Sequence, residues 1–475
     1  MHFVPFCTPR APNASLTTIL SIANFPTMRS RMIPTIASLA LLPLLAACAT
    51  DAADEAPAAV NPTDSAEATA TEAAHVDEHE HDDDHAVAAE EHGEAQPRIL
   101  VTYADSAELL SLDGTDVASL ASFDIVEGAR ADLGGDGRHA YLVDYFGGTT
   151  SILDTGTWAQ AHGDHFHYFT TDATLLDEQI LGATPSHVVG HDGIVAVFLD
   201  GEGAIEIVDE ASLAEGVLAT TTIATNEPHH GVAVPLGDQV LITETPDGGL
   251  PDTVVQVALD GTEIARYQGE CVGLHGEVTF GTTAIFGCAE DMLVIDTAAH
   301  TTTRIAYPAD AAGTRVGTFY GTGPVVGNWG AEELLFIDAE AGTTEVVNVG
   351  ATIGAISRLG DDILVLTTDG VLSVLDDHGH VVSSVQAIDA FELPGGHSTA
   401  KPALGVSGDT VVISDLNGQQ LVLVDAHEAD VIGSYALAGE PTGFVIANAA
   451  PVETAAHDHD HEDEDAHDHD HDHDH

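Results

Sequence analysis

The chain has 475 residues, with 11 Lys plus Arg set against 78 Asp plus Glu and a formal net charge of −67. Nothing in such a chain neutralises phosphates, so nucleic acid and an anionic membrane surface are excluded as partners. Hydrophobic residues at 44% allow a large core, while 46 Gly and abundant Val, Thr and Ile favour strands and turns over helical bundles. The 28 His sit largely in acidic clusters and short repeated spacings, a composition that points to divalent metal.

Residues 28–48, MRSRMIPTIASLALLPLLAAC, read as an export signal, with Arg29 and Arg31 before an apolar run from Ile33 to Leu45. The run is too short for a spanning helix. Its end, Leu45-Ala46-Ala47-Cys48, resembles a bacterial lipobox, so Cys48 is expected to carry lipid and to be the sole membrane attachment. Residues 1–27 read as an upstream extension. From 49 to 97 the chain is Ala, Glu, Asp, Thr and His with almost no large apolar side chain, which predicts a disordered acidic tether carrying His75, His79, His81, His85 and His92.

From 98 to 447 one imperfect theme recurs: apolar strand, Gly or Asp-Gly turn, apolar strand, polar turn, and a strand ending near Asp, as in HVVGHDGIVAVFLDGEGAIEIVDE. A period of about 35 to 45 residues matches a four-stranded propeller blade and leaves no room for crossover helices. The expected fold is an all-β propeller of eight blades, with seven as the alternative. Innermost strands are placed near Arg130, His187, His230, His275, Val316, Ile353 and Ala403, with a last one at Thr442 to Ala447. That last strand lacks successors and the segment from Arg98 to Ile125 lacks a predecessor, so pairing of the two termini closes the ring without an exposed edge.

Aligning the unit starts sets three histidines in phase on consecutive blades: Pro185-Ser186-His187, Pro228-His229-His230 and Gly273-Leu274-His275. Innermost strands all line the axis, so equivalent positions lie at one height around it, and three imidazoles meeting one Zn²⁺ would leave its fourth position open. His162-Gly163-Asp164-His165-Phe166-His167 forms a further cluster in which His165 and His167 share a face in extended backbone and can grip a metal together, serving as a mobile ligand. His139, His191, His300, His378, His380 and His427 fall in predicted turns and are expected on the surface, and His229 is expected to point away from His230. His397 is left without a role. Cys271 and Cys288 are expected to form a disulfide, the competing reading being two thiolates on zinc. Residues 448–475 end in HDHDHEDEDAHDHDHDHDH, whose alternating imidazoles and carboxylates read as a disordered metal-capturing tail.

HGDHFHY at 162–168, PSHVVGHDGIVAVFLDGEG at 185–203, PHHGVAVPLGD at 228–238, CVGLHGE at 271–277 with the following FGCAED, RVGTFYG at 315–321 and GNWG at 327–330 resemble the AztD-type zinc metallochaperones. The resemblance spans nearly all of 98–447. It implies an extracytoplasmic β-propeller that binds Zn²⁺ and passes it directly to the solute-binding protein of a zinc ABC importer. The family's metal-binding histidines would map onto His165, His167, His187, His230 and His275. Apart from the resemblance, the chain offers no plausible nucleophile triad and is read as non-enzymatic, and its propeller is expected to be monomeric. The lipobox and the Asp-His tail depart from that soluble pattern and suggest tethering in the cell envelope, on the outer face of the cytoplasmic membrane or in the periplasm. The alternatives are a passive zinc-sequestering surface lipoprotein and a metal-dependent propeller hydrolase or lactonase.

Overall fold

The computed structural model describes residues 89–163, 165–309, 315–321, 324–393 and 401–451. The export signal, Cys48, the tether histidines His75 to His85, His397 and the tail from His457 lie outside the described residues.

Within the described residues there are eight four-stranded antiparallel sheets, one three-stranded sheet and a single short helix, Glu210–Leu213. Blade 1 comprises Arg98–Thr102, Ser106–Asp113 and Asp116–Asp124, completed by Gly443–Ala447 from the far end of the chain. The register of that last strand runs from Arg98 opposite Ala447 to Thr102 opposite Gly443. Blade 2 spans 130–181, blade 3 185–224, blade 4 233–267, blade 5 277–306, blade 6 319–348, blade 7 353–386 and blade 8 404–436.

The middle strands are near-continuous apolar runs because both of their faces are covered. Successive side chains of a strand point to opposite faces. Leu100 packs with Ala140 and Leu142 of blade 2, whereas its neighbours Ile99 and Val101 pack with Val412 and Leu421 of blade 8. Ala284 and Phe286 likewise face blade 4 while Ile285 faces blade 6. Each of the eight hydrophobic clusters joins one pair of successive blades, and the pair formed by blades 8 and 1 closes the circuit. Burial between blades therefore carries the fold, at roughly 25 cal/mol per Å² of apolar surface removed from water.

The three-stranded sheet is an insertion. Between the third strand of blade 2, Thr149–Asp154, and its outer strand, Thr174–Leu181, the chain forms a hairpin of Thr157–His162 and His165–Thr170. The expected tether contributes its third member: Glu90–His92 pairs antiparallel with the hairpin, Glu90 opposite Thr170 and His92 opposite Tyr168. Glu90–His92, expected within a disordered tether, is thus a strand, because it finds a ready strand edge to pair with.

Candidate metal centre

His187 lies near the start of the innermost strand Pro185–His191, while His230 and His275 lie three and two residues ahead of the innermost strands Ala233–Leu236 and Glu277–Phe280, and three local devices aim them. The pairing of Pro185–His191 with Ile194–Leu199 slips between Pro185 and Val188, so Ser186 and His187 occupy a β-bulge, a feature that redirects side chains. His229 is buried against Phe198, with its ring nitrogens on the carbonyls of Glu227 at 2.8 Å and Thr243 at 3.1 Å. This anchor holds the His229 ring away from the cup, while His230 reaches Asp200 and His187; the two lie in a loop, so strand alternation is not the cause. Only glycine fits next: a Cβ on Gly231 would lie 2.5 Å from Thr243 Oγ1 and 2.6 Å from Phe198. The His275 loop is tied by the Cys271–Cys288 disulfide, by the His275 N–H donating to the Gly287 carbonyl at 2.9 Å, and by Arg315 donating to the Gly273 carbonyl. Gly276 has φ +82°, and a Cβ there would meet the Gly317 carbonyl carbon at 2.6 Å.

The result is a cup. The ring centroids are 5.0 Å apart for His187 and His230, 5.9 Å for His230 and His275, and 6.4 Å for His187 and His275. The Nε2 atoms of His187 and His230 approach to 3.4 Å. Gly231, Val232, Pro251, Leu274, Gly276 and Glu277 complete the lining of the small cavity. Two tautomers are set from outside. His230 Nδ1 lies 2.7 Å from Asp200 Oδ2, and Ser186 Oγ donates to the other oxygen of the same carboxylate at 2.5 Å. His275 Nδ1 donates to the Gly317 carbonyl at 3.1 Å. In both rings the lone pair is thereby placed on Nε2, the arrangement that metal-ligating imidazoles use.

Electrostatics separates the rings. Burial, reinforced by His230 and Arg130, lowers the His187 pKa to about 4, so this imidazole is neutral at physiological pH. The hydrogen bond to Asp200 raises that of His230. Desolvation alone pushes the Glu277 carboxyl up to about 7.

A second group lies on the inserted hairpin. His162, His165 and His167 each offer a ligand atom within 4.8 Å of the others. Nε2 of His165 and of His167 are 3.2 Å apart, and His167 Nδ1 meets Glu91 Oε1 at 2.6 Å. The hairpin is rooted: Arg98 donates to the carbonyls of Thr155 and Thr171 at 2.6 and 2.9 Å, and Arg138, paired to Asp154, lies 4.1 Å over the Trp158 ring.

The two groups do not converge. The hairpin leaves blade 2 at the edge where Asp154 faces His139 and Thr174, whereas Arg130 at the opposite edge donates to the Ser186 carbonyl beside His187. A six-residue strand such as Thr149–Asp154 separates the edges, about 20 Å at ~3.3 Å per residue. The expectation of one ion shared by His165, His167 and the strand histidines is therefore corrected. Insertion between the third and outer strands sends the hairpin to the other face of the ring.

No family model matches the chain. The zinc chaperone AztD of Citrobacter koseri is 25% identical over 382 residues, covering 76% of this chain and 89% of the relative. The chain is similar to AztD. The crystal structure of Citrobacter koseri AztD superposes with a TM-score of 0.68 at 22% identity, over 74% of this chain and 98% of that one. Apo AztD from the same organism gives 0.66 at 21% identity, over 75% and 99% of the two chains. Dihydro-heme d1 dehydrogenase NirN gives 0.51 at 11%, over 74% of each chain. In this AztD-like fold the likeness to solved structures establishes the propeller.

Several site features escape sequence reading. Asp200 looks like one more turn acid, and only the fold brings it under His230. His139, expected at the surface, is 1% exposed: it opens a strand rather than a turn and is held by Asp136 at 2.6 Å. Asp136, His139 and Glu210 offer ligand atoms within 4.8 Å, but their oxygens are already engaged. Glu210 accepts from the Asp136 N–H at 2.7 Å and from the Tyr141 hydroxyl at 3.1 Å, and Asp136 accepts from the Arg138 and His139 N–H groups. This cluster latches blade 3 to blade 2. His300, His378, His380 and His427 are exposed, and His191 is half-buried.

Proposed function

We propose that this chain is a zinc metallochaperone of the cell envelope, which holds Zn²⁺ as cargo in the His187–His230–His275 cup and hands it to the solute-binding protein of a zinc ABC importer. The observation that carries the reading is three imidazoles from consecutive blades around one small cavity, two of them with Nδ1 committed and Nε2 turned to ligation. The similarity to AztD supports zinc as the cargo and a non-enzymatic role.

The chemistry follows from what is fixed in advance. Zinc takes four ligands from N, O or S donors without a geometric preference of its own, so a three-imidazole cup accepts an entering ligand before releasing one. An incoming imidazole from an acceptor can then share the ion at the channel mouth without setting it free in water. The hairpin histidines on the opposite face form a separate, exposed collecting station. A lipid at Cys48 would keep the molecule near its transporter.

The test is the transfer rate. Zinc-loaded protein mixed with a zinc importer's solute-binding protein should lose its tightest ion at a rate that rises with acceptor concentration and exceeds release into excess chelator. His187→Ala should abolish that phase. Equal rates with and without acceptor would show a passive zinc binder.

A further inference from the structure

Glu277 is the odd group in the cup. It opens the innermost strand of blade 5, lines the same cavity as His187, His230 and His275, and its carboxyl group forms no hydrogen bond or ion pair among the described residues. The other acids around the cup are accounted for: Asp200 takes His230 and Ser186, and Asp132 takes Arg130. Sequestering a carboxylate with no partner costs several kcal/mol, and proteins retain such groups where a cation or proton compensates them.

We infer that Glu277 is the fourth cargo ligand, a carboxylate that closes the three-imidazole cup around Zn²⁺. The inference rests on the reading of the cup as the cargo site. Its logic is charge balance. Three neutral imidazoles leave the ion its full +2 in a partly desolvated cavity, and Asp200 behind His230 offsets one charge. Glu277 offsets the second, so the loaded cup is neutral. Three nitrogens and one oxygen is also a donor set that zinc accepts in tetrahedral sites. Glu277 would thus set how tightly the cargo is held, and its displacement by an acceptor's ligand would be the step that loosens it.

The full chain is titrated with substoichiometric Zn²⁺ against a chelating dye, so that only the tightest site fills, and Co²⁺ is used in parallel for its visible ligand-field band. Glu277→Gln should weaken the tightest equivalent by more than about 100-fold, beyond the 10- to 100-fold that loss of a partner outside the first ligand sphere costs. It should shift the cobalt band and should raise the melting temperature of the metal-free protein, whereas Glu277→Asp should restore part of the affinity. A metal-free protein at least as stable as the parent separates loss of a ligand from misfolding. Parental zinc affinity and an unchanged cobalt band in Glu277→Gln, with His187→Ala weakened, would overturn the role of Glu277 and leave the cup standing. Parental affinity in both variants would remove the cup itself.

Discussion

Asp200 shows how a residue with no metal contact shapes a metal site. Its two oxygens bind two parts of the cup at once, the Ser186 hydroxyl in the bulge that presents His187 and the His230 Nδ1. Losing the carboxylate frees the His230 ring to rotate and to change tautomer. Asp200→Asn should lower affinity for the tightest zinc about 10- to 100-fold, with the apo fold intact by circular dichroism; chelator competition checks it. Unaltered affinity would mean that the ring is oriented by packing alone. The three strand histidines were legible in the sequence because their phase repeats with the blade, and phase survives imperfect repeats. Asp200 and the Gly317 carbonyl were not, since each acts across a blade boundary where sequence separation carries no signal. Gly231 and Gly276 were visible as glycines but not as space that a side chain would fill.

At the level of elements, the same limit explains His139. A Gly-Asp-Gly-Arg-His run looks like a hairpin turn, and the turn is there, but the latch it forms with Glu210 comes from the next blade. Glu210 is 2% exposed and faces Asp136, His139 and Tyr141. Burial first, and the Asp136 charge second, push its carboxyl up to about 7 from 4.5. The native state therefore retains a proton on Glu210 that the unfolded chain has released, between pH 4.5 and about 7. Stability from this group is fully present below that window and falls as pH rises through it. Glu210→Gln stays neutral throughout. Relative to the parent it should gain about 1–3 kcal/mol between pH 5 and pH 8, read from denaturant titrations at both pH values. Parallel curves for parent and variant would show that Glu210 titrates in the folded protein as it does in the unfolded chain. The hairpin was also half-legible: the alternation of His165 and His167 put them on one face, but only the edge from which the insertion departs decides which end of the ring they serve.

On the scale of the whole molecule, the ring and the His-rich tail offer metal ligands of different kinds. Folding has already fixed the cup residues, so zinc there meets ligands held in place. Residues 457–475 set eight histidines among acids with no large apolar side chain, a composition that points to metal capture. Sites of that kind are numerous and weak, and they suit collection, whereas the cup suits holding and handing on. Deleting residues 457–475 should therefore lower the zinc bound at saturation by several equivalents while leaving the tightest equivalent, and its off-rate, unchanged. Isothermal titration of the deletion beside the full chain measures both. If the tight equivalent vanishes with the tail, the propeller is a carrier for a sponge; if it persists, and vanishes instead in His187→Ala, high-affinity binding belongs to the ring, where eight interlocked blades keep three imidazoles facing one cavity.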